Sequence, residues 1–389
     1  MRSEDIHFSP PQLRRDGRQY HQTRKFYNIM KLFIFGSTGD LVKRKIVPAF
    51  VELNSSGEAS NLNNLEIIAL GRREFTDEMY HGFICNGECF KNFKIKPKYK
   101  KVEFGKYIKC EDCDDHLSKT EPNYFYSAMP PKNTEQIIQY LGRIKGKGFK
   151  VKALIEKPFG VSLKEAVKLK ELAKKYKLTD DILISDHYLF KEEVLPLKPK
   201  DFKKVKIVSL ESVGLEKRIS YYDEAGALQD MVQSHFLNIA FKLLQNPEKE
   251  LGEIEVLEYI RGQYGDGKLK GYVKDLGKHS ETETSCHIYF RAGEKHFEFV
   301  TGKKFDKKLS YIEIDGKKIH FNSEKNPYSR LFQDFFADRK ESFATLEQSI
   351  LGWQVANEIE KKKPELKYYD EETSADYAAN NKDYYKDTK

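Results

Sequence analysis

Short apolar runs alternate with amphipathic segments between residues 30 and 191. The runs are nearly continuous, as expected for strands that are buried on both faces of a sheet. The predicted strands are residues 31–35, 65–70, 124–129, 151–155 and 181–184. The predicted helices between them are residues 41–53, 134–144 and 162–176. This alternation predicts a doubly wound α/β domain with a parallel sheet, in which ligands bind beyond the carboxyl ends of the strands.

The pattern changes after residue 192 to longer strands of antiparallel character. The candidates are residues 204–213, 254–264, 284–290, 296–301, 310–314 and 317–321. The last two flank Asp315-Gly316, a strong hairpin signal. A long helix is predicted at 226–245, and His235 falls on its apolar stripe. The second half is therefore predicted to be an α+β domain with a mainly antiparallel sheet.

These patterns predict a nucleotide-binding domain at residues 30–186 and a substrate-binding, catalytic domain at 187–363. Residues 1–29 are polar and aperiodic, which predicts a disordered or spurious extension with Met30 as a candidate start. Residues 364–389 are rich in Asp, Lys, Asn and Tyr without an apolar period, which predicts a disordered tail.

Charge and hydropathy limit the classes of partner. The 389 residues carry 68 basic and 60 acidic side chains, a net charge of +8 that is spread over helix faces. This distribution favours weak steering of anionic small molecules and argues against nucleic acid. No run approaches the ~20 apolar residues of a membrane span, and the amino terminus lacks the apolar centre of a signal peptide. We therefore expect a cytoplasmic protein without membrane contact.

The five cysteines are expected to be reduced thiols in that compartment. Cys85 with Cys89 and Cys110 with Cys113 have a spacing that would allow four thiolates to bind zinc. The lysine-rich segment between the pairs lacks a ribbon-like turn pattern, so the favoured prediction is that no metal binds. Cys286 lies on an apolar strand and is expected to be a core residue.

A glycine-rich turn follows the first predicted strand. Glycines let the backbone approach a pyrophosphate, and the start of the next helix supplies free N–H donors. The residues of this predicted coenzyme site are Gly36, Ser37, Thr38, Gly39, Asp40 and Leu41. The second strand ends before Arg72 and Arg73, where an NAD-specific protein offers an acid to the ribose. Guanidinium groups suit a 2′-phosphate instead, so NADP is favoured over NAD.

Two further strand ends carry candidate chemistry. Asp186 follows a strand and is a candidate helix cap, which places His187 and Lys191 on one face near free N–H groups suited to phosphate. Lys157 follows another strand over the same crevice. The alternative for these residues is an ordinary helix start and a solvated lysine.

His235 has two interpretations. A histidine on an apolar stripe is a satisfied core residue or a group that exchanges a proton in a closed site. Asp230, five residues earlier, lies about 140° round the helix, so the two side chains are placed to flank a ligand more readily than to pair.

Seven motifs together resemble the glucose-6-phosphate dehydrogenase family over about residues 31 to 360. They are Gly36 to Leu41 with Lys45 and Pro48, Glu156-Lys157-Pro158-Phe159-Gly160, Asp186 to Lys191, Tyr222-Asp223-Glu224, Asp230 to His235, Arg261-Gly262-Gln263-Tyr264 and Thr301-Gly302-Lys303. The resemblance implies oxidation of glucose 6-phosphate to 6-phosphogluconolactone with NADP, the first step of the oxidative pentose phosphate pathway, by a homodimer.

The resemblance also implies a role for each matching residue. His235 would be the general base on the C1 hydroxyl and Asp186 the carboxylate that orients it. The remaining implied roles are phosphate binding by His187, Tyr188, Lys191 and Lys303, sugar hydroxyl binding by Glu211 and Asp230, contact with both substrate and coenzyme by Lys157, and 2′-phosphate binding by Arg72.

This chain also departs from the family pattern. The family usually has Arg, Gly, Arg and Asn at the positions of Ile184, Phe190, Gln229 and Ser234. The segment between Lys303 and Tyr328 is short, which predicts a reduced sheet and leaves the rate, the oligomeric state and a second coenzyme site open. The alternatives are an oxidoreductase of unphosphorylated sugars of the glucose–fructose oxidoreductase type, and a non-catalytic binding protein that retains the fold.

Overall fold

The computed structural model describes residues 29–56, 65–85, 89, 96–362 and 364–387. The predicted N-terminal extension lies outside the described residues, apart from residue 29. Among the described residues, no helix has the length and apolarity that a membrane span requires.

Six parallel strands form the N-terminal sheet in the order β3-β2-β1-β6-β7-β8. The strands of this half are β1 (Met30–Phe35), β2 (Leu65–Gly71), β3 (Lys98–Lys101), β4 (Glu103–Phe104), β5 (Ile108–Lys109), β6 (Asn123–Ser127), β7 (Val151–Glu156) and β8 (Ile182–Ser185). Its helices are α1 (Val47–Ser56), α2 (Asp77–Cys85), α3 (Thr134–Gly146) and α4 (Leu163–Lys175). The predicted doubly wound parallel sheet is confirmed.

The apolar runs form strands because both faces of the sheet are covered. All seven residues of β2 are buried, and the ring of Phe33 on β1 stacks on Phe125 of β6 at 4.9 Å. The sequence did not predict β3, whose lysine-rich composition is typical of an edge strand. The sequence pattern therefore predicts the central strands correctly and misses the edge strand β3.

Seven strands form the second sheet in the order β14-β13-β9-β12-β11-β10-β15, and two of its pairs, β9 with β12 and β10 with β15, are parallel. The strands are β9 (Lys204–Leu210), β10 (Glu255–Tyr264), β11 (Ser285–Ala292), β12 (Lys295–Gly302), β13 (Leu309–Ile314), β14 (Lys317–His320) and β15 (Leu366–Tyr369). The helices are α5 (Ile219–Ala227), α6 (Leu237–Leu243), α7 (Pro247–Glu250), α8 (Tyr272–Leu276), α9 (Pro327–Phe336), α10 (Leu346–Glu360) and α11 (Ala375–Ala378). The predicted mainly antiparallel sheet is confirmed.

The predicted helix at 226–245 corresponds to a helical segment, Leu228–Phe236, that continues into α6. Gly226, the penultimate residue of α5, has φ +66° and a non-helical conformation, so the chain is kinked just before Leu228–Phe236. A Cβ at Gly226 would approach a carboxylate oxygen of Glu283 to 2.5 Å, so a side chain there is excluded by conformation and by space. Beyond this kink, Leu228–Phe236 packs against α10 and β12.

The predicted disordered tail is contradicted for residues 364–387. β15 pairs with β10, and Tyr369, Tyr384 and Tyr385 are buried against the second sheet. The prediction was wrong because tyrosine rings bury large apolar areas without the periodic pattern of a helix or strand.

The expectation of reduced thiols is also contradicted. Cys85 is bonded to Cys89, and Cys110 is bonded to Cys113. In this disulfide-bonded state these four cysteines do not offer free thiolates to a zinc ion. Cys286 is free and buried, as predicted.

Candidate active site

The candidate active site lies where β7 and β8 end against the helical segment Leu228–Phe236. Asp186 follows β8 and caps a short helix, His187–Phe190, by accepting a hydrogen bond from the Tyr188 amide at 3.0 Å. This cap confirms the predicted helix start and leaves part of the carboxylate available to a second partner.

His235 is that second partner. Its Nδ1 contacts Oδ1 of Asp186, and Asn238 Nδ2 donates to Oδ2 at 2.9 Å. Asp186 and His235 are 0% and 2% exposed, so the pair lies in a largely water-free setting. Sequence reasoning missed Asn238, although it lies one helical turn after His235 on the same face.

The charges of this pair suit a general base. Burial would raise the pKa of Asp186, but the contacts with His235 and Asn238 outweigh it and hold that pKa well below its usual range. Burial lowers the pKa of His235, and the Asp186 carboxylate offsets this only in part. His235 is then neutral near pH 7 with Nδ1–H donating to Asp186, which leaves Nε2 as the basic nitrogen.

Aromatic side chains enclose the imidazole. The Tyr188 ring stacks on His235 at 4.2 Å between centroids, and His187 meets His235 edge-on at 4.9 Å. Tyr328 of α9 stacks on His187 at 5.6 Å. Tyr188 Oη lies 3.1 Å from Ser209 Oγ, which fixes the ring against β9. Tyr328 was not among the predicted site residues because it follows His187 by 141 positions.

Two ion pairs bring four more predicted residues into the site. Lys157 Nζ lies 3.1 Å from Asp230 Oδ1 and donates to the Asp230 carbonyl at 2.9 Å. Lys303 Nζ lies 2.6 Å from Glu211 Oε2. Burial would raise the pKa of Asp230, but Lys157 and Lys303 outweigh it and lower that pKa. Asp230 therefore binds lysine rather than His235, in line with its angular offset on the helix.

Lys191 is the cation of the site without a carboxylate partner among the described residues. Its Nζ lies 4.9 Å from the Tyr188 ring centroid. Burial and the nearby Lys308 and Lys45 lower its pKa, and the carboxylates of Glu193 and Asp186 offset this only in part. A lysine without an ion-pair partner near two further lysines forms a setting that favours a phosphate group.

A half-buried carboxyl group, that of Glu156, is linked to His187 through Tyr328. Oε1 of Glu156, at the end of β7, accepts hydrogen bonds from Tyr126, from Ser185 Oγ at 2.7 Å and from Tyr328 Oη at 3.3 Å. Burial raises the pKa of Glu156 to about 7, although the Ser185 and Tyr126 hydroxyls lower it in part. The folded protein therefore holds a proton on Glu156 more tightly than the unfolded chain does.

Glu156→Gln is expected to change how stability depends on pH. The raised pKa contributes stability that is complete below about pH 4.5 and is lost as the pH rises through about 7. Gln mimics the protonated acid, so across this window the parent protein should lose about 3 kcal/mol relative to Glu156→Gln. Thermal unfolding of both proteins from pH 5 to pH 8 measures the difference. Parallel Tm curves would contradict the raised pKa.

The glycine-rich turn after β1 leads directly into the start of a helix. Gly36 has φ +75°, and a Cβ there would lie 3.0 Å from Met129 Sδ. The Gly39 amide donates to the Gly36 carbonyl at 2.9 Å, and the helix begins at Asp40. Ser37 is fully buried, yet its hydroxyl has no hydrogen-bond partner in the described residues. An unpaired buried hydroxyl beside free helix N–H groups fits a bound pyrophosphate.

Arg72 and Arg73, which follow β2, differ in their contacts with the rest of the chain. The guanidinium of Arg73 lies 4.5 Å from the Phe83 ring centroid and packs on it. Arg72 is exposed and makes no hydrogen bond or ion pair within the described part of the chain. Gly71 adjoins the turn, because a Cβ there would lie 3.1 Å from Thr38 Cγ2. Arg72 is therefore the free cation at the coenzyme end of the crevice.

Residues 33–195 match the family model described as glucose-6-phosphate dehydrogenase, NAD binding domain, and residues 197–256 match that of the C-terminal domain. A glucose-6-phosphate 1-dehydrogenase from Buchnera aphidicola subsp. Schizaphis graminum is 31% identical over 363 residues, which cover 78% of this chain and 72% of the relative. The chain belongs to the glucose-6-phosphate dehydrogenase family. It is accordingly an oxidoreductase with a domain for a nicotinamide dinucleotide.

Other members of the glucose-6-phosphate dehydrogenase family are similar to this chain in sequence or in fold. The Dickeya dadantii enzyme is 27% identical, with 82% of this chain and 77% of the relative covered. The Mycobacterium avium structure superposes with a TM-score of 0.70 at 19% identity, over 88% of this chain and 94% of that one. A solved member in complex with glucose 6-phosphate superposes with a TM-score of 0.72 at 20% identity, over 89% and 95% of the chains. These structures share the fold.

The departures from the family pattern leave the His235–Asp186 pair intact. Ile184 and Phe190 are buried, and Phe190 packs on Phe343 at 4.8 Å. Ser234 turns its hydroxyl back to the Asp230 carbonyl at 3.0 Å. The pair is oriented by Asn238 instead of by any of these positions.

Proposed function

We propose that the chain oxidises glucose 6-phosphate at C1 to 6-phosphogluconolactone, with NADP as the hydride acceptor. The observation that carries the proposal is a neutral, buried imidazole oriented by Asp186, with the cation Lys191 against the same Tyr188 ring that stacks on the imidazole. Incubation of the protein with NADP or NAD and a panel of phosphorylated and free sugars, followed by nicotinamide absorbance, tests it. Reduction with free sugars alone would favour an oxidoreductase of the glucose–fructose type.

The proton step is assigned to His235. Its Nε2 would take the proton of the C1 hydroxyl while the hydrogen on C1 leaves as hydride, so that the C1–O bond becomes a carbonyl. Asp186 would hold the ring in the required tautomer and stabilise the imidazolium. NADP, when bound, supplies the hydride acceptor. Burial of the pair excludes the water that would compete for the proton.

The substrate phosphate is assigned to a group of side chains around Lys191, and the sugar hydroxyls to two carboxylates. The phosphate group would contact His187, Tyr188, Lys191 and Lys303, and the hydroxyls would contact Glu211 and Asp230. Lys303 would move from Glu211 to the phosphate, which would free Glu211 for a hydroxyl. Lys157 would contact both substrate and coenzyme from its position beside Asp230.

The coenzyme is assigned to the carboxyl ends of β1 and β2. The residues that would hold its pyrophosphate and first ribose are Gly36, Ser37, Thr38, Gly39, Asp40 and Leu41. Arg72 would hold the 2′-phosphate, since it is a free guanidinium beside this turn. This assignment supports residues 30–186 as the NADP-binding domain and 187–363 as the substrate-binding, catalytic domain. A homodimer stays a prediction of the resemblance, and a cytoplasmic location stays a prediction of the sequence pattern.

Arg72→Ala is expected to raise the KM for NADP by about 10- to 100-fold and to leave NAD turnover almost unchanged. A charge-assisted bond to a phosphate contributes about 1.5–3 kcal/mol, and NAD lacks that phosphate. Steady-state kinetics with both coenzymes measure the effect. Arg73→Ala is the matched control, because Arg73 packs on Phe83. Equal losses with NADP and NAD would make Arg72 a structural residue.

A further inference from the structure

The chain end passes over the loop that carries Lys303. We call residues 366–387 the C-terminal strap and residues 302–306 the lysine loop. Tyr369 of the strap donates from Oη to the Lys303 carbonyl at 2.8 Å, and its ring stacks on Phe305 at 5.2 Å. Tyr369 is fully buried, and its Oη also lies 3.0 Å from Thr284 Oγ1. One side chain of the strap thus contacts two residues of the lysine loop.

Backbone hydrogen bonds extend this contact along the loop. The Glu372 amide donates to the Lys304 carbonyl at 2.7 Å, and the Asp306 amide donates to the Thr373 carbonyl at 3.1 Å. The Ala375 amide donates to Asp306 Oδ1 at 2.8 Å. Three residues of the loop are therefore bonded to the strap, which leaves the loop little freedom to shift.

The opposite side of the loop is bonded to the strand end that carries Glu211. The Glu211 amide donates to the Gly302 carbonyl at 2.9 Å, and the Phe305 amide donates to the Glu211 carbonyl at 3.1 Å. The Lys303 amide donates to the Thr284 carbonyl at 3.1 Å, and the Lys303 carbonyl accepts from Tyr369 of the strap, so the strap fixes the carbonyl side of the Lys303 backbone. The Lys303 side chain then has a fixed starting point for reaching Glu211 or a substrate phosphate.

The strap is itself firmly anchored. Tyr385 Oη lies 2.7 Å from Ser285 Oγ on β11. A Cβ at Gly262 would lie 2.2 Å from the Tyr385 ring, so the absence of a side chain on β10 makes room for the strap. Lys382 pairs with Glu258, also on β10. These contacts with β10 and β11 hold the C-terminal strap in a fixed position on the second sheet.

We propose that the C-terminal strap positions Lys303 for the substrate phosphate, with Tyr369 as the positioning residue. The inference rests on the proposed function, because it needs Lys303 to contact the phosphate. A strap that only stabilised the second sheet would change the Tm without changing phosphate affinity selectively. Phosphate affinity therefore separates positioning from simple stabilisation.

Tyr369→Phe in the full chain tests the inference, because it keeps the buried ring and removes the hydroxyl that bonds the Lys303 carbonyl and Thr284 Oγ1. We expect the KM for glucose 6-phosphate and the inhibition constant of inorganic phosphate both to rise about tenfold, the effect of losing the hydrogen bond to Lys303. The kcat and the KM for NADP should stay within about twofold. Tyr384→Phe is the matched control, since Tyr384 is a buried strap tyrosine whose hydroxyl interacts with Tyr385 and Ser285 and makes no hydrogen bond to the described lysine loop.

Lys303→Met separates failure of this inference from failure of the proposed function. If Lys303→Met leaves the KM for glucose 6-phosphate unchanged, the phosphate role of Lys303 is wrong and the strap has nothing to position. If Lys303→Met raises that KM but Tyr369→Phe does not, only the strap inference is overturned. The inference predicts that the double variant resembles Lys303→Met alone, because both changes act through one contact. Additive effects would overturn it.

Discussion

His235→Asn is expected to lower kcat by a factor on the order of 10²–10⁴, the loss caused by removing a positioned general base. Asn keeps a polar group near Asp186 but cannot take the C1 proton. Substrate and coenzyme binding should change little, because neither depends on the basicity of Nε2. Steady-state kinetics and thermal unfolding of the same preparation measure both quantities.

A buried histidine elsewhere supplies the control. His287 is 1% exposed and lies 3.1 Å from Glu298, so it forms a second histidine–carboxylate pair, within the second sheet. His287→Asn should lower the Tm and leave kcat per folded molecule intact. If His235→Asn behaves in the same way, His235 is a core residue and the assigned mechanism is wrong. Asp186→Asn should cost as much as His235→Asn or less, since it would let the imidazole adopt the wrong tautomer.

Glucose is expected to be a poorer substrate than glucose 6-phosphate by a factor on the order of 10³ or more in kcat/KM. A site built around charged donors loses several kcal/mol when the ligand lacks the matching group. Lys191 is half-buried, and the repulsion from Lys308 and Lys45, together with burial, outweighs the attraction of Glu193 and Asp186, so a bound phosphate would relieve that repulsion. Assays of both sugars with NADP, over a wide range of glucose concentration, measure the ratio.

Lys191→Met should reduce the preference for glucose 6-phosphate over glucose, measured as the ratio of their kcat/KM values. It is expected to lower kcat/KM for glucose 6-phosphate by about 10²-fold and to leave the value for glucose almost unchanged, because glucose has no phosphate to lose a contact. Each sugar therefore serves as the control for the other. Comparable kcat/KM for the two sugars in the parent protein would contradict the assigned phosphate site.

The central strands were predictable because burial on both faces leaves a nearly continuous apolar run, as in β2. The hairpin at Asp315-Gly316 was predictable because both residues adopt positive φ, +48° and +83°, which this pair of residues tolerates. β3 and β15 were not predictable. Both are edge strands whose charged and aromatic residues carry no period-2 signal, and they are recognised as strands only when paired with β2 and β10.

The sequence by itself determined which chemical groups stand at the strand ends. Parallel strands bring their carboxyl ends to one edge, so the glycine turn, Arg72, Lys157 and Asp186 had to share a crevice whatever the remaining packing. Local rules also set the cap of Asp186, whose hydrogen bond spans only two residues. The groups at the strand ends and the Asp186 cap depend on residues that are close together in sequence, so the sequence pattern alone predicts them.

Only the tertiary structure decided which of these groups pair. Asp186 and His235 are 49 positions apart, and Lys157 and Asp230 are 73 apart. Their contacts depend on where the packing of Leu228–Phe236 against α10 and β12 places that segment relative to the ends of β7 and β8. The same holds for Tyr369 on Lys303, at a separation of 66. Pairing at such range follows from the packing of whole elements, which no local pattern encodes.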